Sequence, residues 1–137
     1  GLERVELVNA RAEEVLDLIH LRRKRDVNVS QLTYAEQRAL EVGVTIAGGS
    51  QVILLDEPTA GMSKSETSRF ISLIRKVTEG KTLLMVEHDM DVVFGLADRV
   101  AVLVYGEVIA FDTPEMVRAD PAVQLAYLGE TPGSARC

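Results

Sequence analysis

Two carboxylates stand side by side at Asp56 and Glu57, directly after the apolar run Val52-Ile53-Leu54-Leu55 and directly before Pro58. Four large apolar residues in succession describe a strand buried on both faces, and open α/β sheets bind their ligands at the carboxyl ends of such strands. A pair of acids at that place can divide two tasks, one holding a magnesium ion and the other polarising a water. A second apolar run, residues 82–86, ends in Glu87-His88-Asp89 and sets an imidazole just past another strand. Thr33 and Glu36 have the spacing of a capping box, and a capped helix start gathers free amides that suit an anion. Each group also has a plain reading: a core strand running into an acidic turn, a histidine in an ordinary hydrogen bond, a structural cap. Co-occurrence of Asp56, Glu57 and His88 at two strand ends favours chemistry.

The elements that must position these groups follow from periodicity. Residues 10–21 carry Ala12, Val15, Leu16 and Ile19 at helical spacing, with charge on the other side. Residues 27–31 read as a polar loop. The helix opened by Thr33 runs to about Ala47, with Leu40, Val44 and Ala47 as its buried stripe and Gly48-Gly49 as its stop. Ser63 and Glu66 repeat the capping box for a helix through about Thr78, with Phe70, Ile71, Ile74 and Val77 facing inward. Gly80 ends it, and strand 82–86 follows at the spacing of a right-handed β-α-β unit. Asp89 caps a short helix to Ala97, and residues 99–104 and 107–111 flank Tyr105-Gly106 as a hairpin. Thr113-Pro114 and Asp120-Pro121 each set an N-cap before a proline, giving two short terminal helices. The fold class is α/β, a mostly parallel sheet with flanking helices and a C-terminal hairpin.

Composition narrows the function. With 137 residues, 47% apolar and 26% charged, the chain is an ordinary globular domain or part of one. No apolar stretch approaches the roughly 20 residues of a membrane helix. The single Cys137 cannot form an internal disulfide. A net charge of −6 argues against nucleic acid as a partner, despite the basic run Arg22-Arg23-Lys24-Arg25, which reads as a solvated helix end. His20 reads as a surface helix residue, and no Cys/His cluster suggests zinc. A chain opening on Gly1 rather than Met is expected to be a trimmed fragment.

The order of the motifs resembles the C-terminal portion of an ABC-transporter ATP-binding subunit, of the branched-chain amino acid importer type. Leu32-Thr33-Tyr34-Ala35-Glu36-Gln37-Arg38 is similar to the family signature, residues 52–58 to its Walker B strand with catalytic glutamate, and Ala60-Gly61-Met62-Ser63 to its D-loop. Glu87-His88-Asp89-Met90 through Gly95-Leu96-Ala97-Asp98-Arg99 fits the same subfamily, as does Gly106-Glu107-Val108-Ile109-Ala110 through Tyr127-Leu128-Gly129-Glu130. The resemblance covers about residues 8–130. It implies a partial P-loop NTPase core: the tail of a helical subdomain over 1–31, the signature, Walker B, D-loop and switch region over 32–112, C-terminal helices over 113–130, and a disordered tail over 131–137.

ATP and Mg2+ are the cofactors so implied. Asp56 would stand on the metal side, Glu57 would act as general base, and His88 would contact the γ-phosphate. Thr33 would donate a hydroxyl, and Tyr34, Ala35 and Glu36 would supply position and amides, to ATP held by an opposite subunit; Ser63 would face that subunit. The implied partners are transmembrane permease subunits, a solute-binding protein and an ATPase dimer partner, at the cytoplasmic face of the membrane.

Three departures stand out. Ala35 replaces a family glycine, and Ser63 replaces asparagine or aspartate. Residues 43–50, Gly-Val-Thr-Ile-Ala-Gly-Gly-Ser, replace an alanine- and arginine-rich turn and should weaken the helix end. The phosphate loop Gly-x-x-x-x-Gly-Lys-Ser/Thr does not occur in the sequence, so the chain alone is expected not to hydrolyse ATP. Without the elements that carry that loop, apolar surface around residues 53–55 should be exposed and drive homo-oligomer formation. A reading from another class is a non-catalytic regulatory or docking module; Ala35 and Ser63 favour it, and Asp56, Glu57 and His88 weigh against it. A DNA-repair ATPase of the same superfamily is disfavoured by the acidic charge and the lack of heptads.

Overall fold

A computed structural model describes residues 1–128; the tail expected at 131–137 lies outside the described residues. The chain divides into two compact units, residues 1–92 and residues from 93 onward. The first holds helix α1 (Leu2–Leu18), helix α2 (Tyr34–Ala47), strand β1 (Val52–Asp56), helix α3 (Lys64–Val77) and strand β2 (Thr82–Val86). Helix α4 (Met90–Leu96) joins the units. The second holds strands β3 (Val100–Val104) and β4 (Glu107–Asp112) and helices α5 (Pro114–Ala119) and α6 (Pro121–Val123). Among the described residues no helix is long and apolar enough to cross a membrane.

In the first unit, β1 and β2 pair in parallel and in register, from Val52 opposite Thr82 to Asp56 opposite Val86. Helix α3 is the crossover, opened by the Ser63–Glu66 capping box and buried along Phe70, Leu73, Ile74 and Val77. Ile71, expected on that stripe, is only half-buried. The expectation of a strand covered on both faces is corrected. Ile53 is fully buried, but Val52, Leu54, Leu84 and Val86 share the opposite face and are 53–69% exposed. Both faces of the strands are apolar, so the sequence run looks continuous although only one face is covered.

Helix α1 is longer at its start than the expected 10–21 and ends at Leu18. Its end explains His20, which is no helix residue: it takes φ +61°. The Leu21 amide donates to the Leu16 carbonyl (2.8 Å) and the His20 amide to the Asp17 carbonyl (3.2 Å), the paired bonds of a Schellman end with a left-handed residue after the cap. The basic run that follows is a short 3-10 turn over Arg22–Lys24, not a freely solvated helix end. Arg22 and Arg25 pair with Glu13, and Lys24 pairs with Glu36. Residues 27–31 likewise contain a 3-10 turn, Val29–Gln31, capped by Asn28.

The buried stripe of α2 is Ala39, Val42, Gly43 and Ile46, not Leu40, Val44 and Ala47. Val44 is 67% exposed. The reason is Gly43: a Cβ there would lie 2.8 Å from Ile19 Cδ1 and 3.3 Å from Val15 Cγ1. The missing side chain lets α1 approach, and the buried face centres on the glycine. Arg11 of α1 donates to the Ile46 carbonyl at 3.4 Å, a contact in keeping with the antiparallel course of the two helices.

In the second unit, β3 and β4 form the expected hairpin. Tyr105 (φ +47°) and Gly106 (φ +80°) give the primed turn whose twist matches antiparallel strands. The register shifts between Val102 and Leu103, so Ile109 is an extra residue on β4. The core here is Val93, Val100, Val102, Val117 and Val123. Thr113 and Asp120 cap α5 and α6 as expected, with proline at the first position of each.

Two outcomes follow. Gly43→Leu should lower stability to urea by about 2 kcal/mol through overpacking against α1, whereas an unchanged midpoint would contradict this helix contact. We expect the apolar strip on β1–β2 to drive self-association, measured by light scattering, and Leu54→Glu with Leu84→Glu to reverse it; a strict monomer at high concentration would contradict that.

Candidate functional site

Because β1 and β2 run in register, their carboxyl ends lie level, with Asp56 opposite Val86. The next residue, Glu57, is turned sharply: its amide donates to the Val86 carbonyl at 2.7 Å and its φ is +44°. A left-handed conformation at a residue with a side chain costs about 1–2 kcal/mol, so the surrounding bonds must hold it. The turn brings Glu57 Oε1 to 3.2 Å from His88 Nδ1. Both side chains are largely exposed, 51% for Glu57 and 70% for His88, so a ligand can reach them. The structure thus brings together the acid after β1 and the imidazole after β2. Asp56 lies immediately before, also exposed.

Two residues beneath this pair escaped the sequence reading as site residues. The Glu87 side chain is only 1% exposed. Its Oε2 accepts from the Thr59 hydroxyl (2.8 Å) and amide (3.4 Å), and its Oε1 accepts from the amides of His88 (3.1 Å) and Asp89 (3.4 Å). Thr59 is buried as well. The structure shows why: residues 84 and 86 face outward, so period-two alternation turns residue 87 inward with 83 and 85, an orientation that the uniformly apolar run does not reveal. An inward acid at a strand end requires donors. Asp89 does what was expected, its Oδ1 accepting from the amides of Asp91 and Val92 at the start of α4.

The remaining predicted residues gather elsewhere in the first unit. Thr33, Ala35 and Glu36 at the start of α2 and Ser63 at the start of α3 line one cavity of about 590 Å³, together with His20, Lys24 and Arg69. Thr33 Oγ1 accepts from the Glu36 amide (3.2 Å) and Glu36 Oε1 from the Thr33 amide (2.9 Å). Ser63 Oγ accepts from the Glu66 amide at 3.2 Å, so Ser63 is the N-cap of α3. Each hydroxyl uses oxygen lone pairs in its cap; Thr33 still carries a proton to donate, and Ser63 Oγ also lies 3.3 Å from Ser65 Oγ. Lys24 Nζ lies 2.5 Å from Glu36 Oε2, and this hydrogen bond, with the Thr33 amide, holds the Glu36 carboxyl below its usual range. Tyr34 does not line the cavity; its hydroxyl accepts from Arg38 Nε at 3.1 Å, with the guanidinium 5.3 Å from the ring centroid. Ala35 has no left-handed φ, so the local backbone does not require glycine there.

No group of three or more His, Cys, Asp and Glu suited to a metal occurs among the described residues. A single strand-end carboxylate nevertheless fits magnesium, which is held by one or two carboxylates together with nucleotide phosphates and water rather than by a protein cage.

Residues 107–131 match a sequence family described as a branched-chain amino acid ATP-binding cassette transporter. The chain is 38% identical over 122 residues to the high-affinity branched-chain amino acid transport ATP-binding protein LivG of Escherichia coli K12, covering 88% of this chain and 48% of LivG. It is 35% identical over 117 residues to BraF of Pseudomonas aeruginosa, of the same description, covering 84% of this chain and 46% of BraF. Its fold superposes on the crystal structure of MJ1267 in the ADP conformation, an ATP-binding cassette of an ABC transporter, with a TM-score of 0.79 at 25% identity, over 90% of this chain and 50% of that one. A nucleotide-free ATP-binding cassette matches equally, with a TM-score of 0.79 at 25% identity over 91% of this chain and 51% of that one. The fold is that of about half of an ATP-binding cassette. In sequence the cassette is similar to the branched-chain amino acid transport type, and it spans about half the length of the curated relatives it matches.

The depressed Glu36 carboxyl has a pH consequence. A lowered folded-state pKa adds stability above the ordinary carboxylate pKa, and that stability is lost as pH falls through the folded value. Wild type should therefore lose about 0.5 kcal/mol more than Glu36→Gln between pH 6 and pH 3 in urea unfolding, the size expected of a partly exposed pair. Identical losses would show that the Lys24–Glu36 pair contributes nothing.

Proposed function

We propose that this cassette segment is part of the ATP-binding and hydrolysing subunit of an ABC importer for branched-chain or related amino acids. The observation that carries the proposal is the Glu57–His88 contact of 3.2 Å between residues just past two parallel strands, with Asp56 one position earlier. When bound, Mg-ATP supplies the phosphoryl group to be transferred and the metal charge that neutralises it. Asp56 would hold the metal. Glu57 Oε accepts the proton of the attacking water, and His88 orients that water and contacts the γ-phosphate. The start of α2 would serve the nucleotide of an opposite subunit through the Thr33 hydroxyl and the Ala35 amide, because the Glu36 amide is already bonded to Thr33 Oγ1. Tyr34 positions that turn from outside, and Ser63 faces the dimer partner. The methyl group of Ala35 crowds a phosphate approach that glycine leaves open.

The subunit acts at the cytoplasmic face of the membrane, with transmembrane permease subunits and a solute-binding protein as partners, and not with nucleic acid. Without a phosphate loop the chain by itself does not turn over ATP, because positioning and charge neutralisation dominate phosphoryl transfer. A second reading, a non-catalytic docking module on an intact ATPase, is favoured by Ala35 and by the use of Ser63 as a cap.

The test is phosphate release with Mg-ATP by the chain alone and by the chain joined to the half of LivG that it does not cover. The joined protein should hydrolyse ATP, Glu57→Gln should reduce the rate at least about 100-fold, and the chain alone should release none. Sustained turnover by the chain alone, abolished by Glu57→Gln, would overturn the prediction of inactivity. A folded joined protein without turnover would favour the docking module.

A further inference from the structure

A carboxylate as thoroughly enclosed as Glu87 demands an account, because burying a charge is costly unless every lone pair finds a donor. Here each oxygen serves a different loop. Oε2 takes both donors of Thr59, two residues beyond Glu57, at 2.8 and 3.4 Å. Oε1 takes the backbone amides of His88 and Asp89, at 3.1 and 3.4 Å. One side chain therefore ties the segment after β1 to the segment after β2, directly under the place where Glu57 and His88 meet.

That meeting cannot hold itself. Glu57 and His88 are 51% and 70% exposed, and a contact between two such side chains is weak and easily exchanged for water. Glu57 also sits in a left-handed turn that resists its own geometry. We infer that Glu87 and Thr59 form a positioning pair, a buried clasp that keeps the carboxylate of Glu57 in register with the imidazole of His88. The residue types fit the task. All four groups bonded to Glu87 donate to it, and three of them are backbone amides that cannot accept, so glutamine would turn its own NH2 against at least one amide whichever way it faced. At position 59 serine retains the hydroxyl donor, and valine keeps the shape without it.

For its effect on catalysis this inference rests on the function proposed above; its geometric content does not. Two measurements separate them. In the first, the 137-residue chain is labelled with 15N and the His88 ring observed by NMR. Wild type and Thr59→Ser should give one His88 ring signal with a nuclear Overhauser contact to Glu57. Thr59→Val and Glu87→Gln should lose that contact while the amides of α3 keep their wild-type shifts. Retention of the contact in both variants would overturn the clasp, as would a Thr59→Ser spectrum resembling that of Thr59→Val.

In the second, the joined protein described above is assayed. Thr59→Val should lower kcat about tenfold with the KM for ATP unchanged within about twofold, and Thr59→Ser should restore it. An unchanged kcat, or a loss that serine does not rescue, would overturn the positioning role. Absence of hydrolysis in the wild-type joined protein would instead remove the proposed function, and the ring spectra would still decide the clasp.

Discussion

The in-register parallel pairing of β1 and β2 is the constraint on which the site depends. It sets Asp56 level with Val86, and the two chains then leave the sheet side by side. The first bond past the sheet, from the Glu57 amide to the Val86 carbonyl, continues the ladder one step and starts the turn that aims Glu57 at His88. A slip of one residue would send Glu87 outward and leave Thr59 without its acceptor, because side chains alternate with a period of two. Helix α3 is the crossover between the two strands, with Phe70, Leu73, Ile74 and Val77 buried along one side.

The two helix starts apply one piece of chemistry twice. At α2 and at α3 a hydroxyl accepts from the amide three residues on, and a glutamate there returns the bond. Such boxes satisfy amides that would otherwise lack partners, and together they line one cavity. Lys24, placed by the turn after α1, adds the positive charge that holds Glu36 ionised. The left-handed His20 ends α1 and lets the chain turn toward that position.

Much of this was legible in the sequence, for a physical reason. The capping boxes, the proline-led helices and the Tyr105-Gly106 turn are set by groups three or fewer residues apart, so the chain spells them out locally. The acids after β1 and the histidine after β2 were legible because the strands that carry them are short, apolar and bounded. What escaped depends on distant partners. Glu87 finds Thr59 from 28 residues away, and no local pattern announces that bond. The stripe of α2 was misread because Gly43 is buried through the absence of a side chain, which a hydrophobic pattern records as a gap. The uncovered face of β1–β2 has the same composition as the covered one, so the run of apolar residues could not tell them apart.

The most direct test of the account is the scalar coupling across the hydrogen bond from the Glu57 amide to the Val86 carbonyl, measured by NMR in the chain labelled with 15N and 13C. The structure predicts a coupling between the Glu57 nitrogen and the Val86 carbonyl carbon, with Glu57 in the positive-φ region. A coupling to a different carbonyl would place the strands in another register, separate Glu57 from His88 and contradict the account.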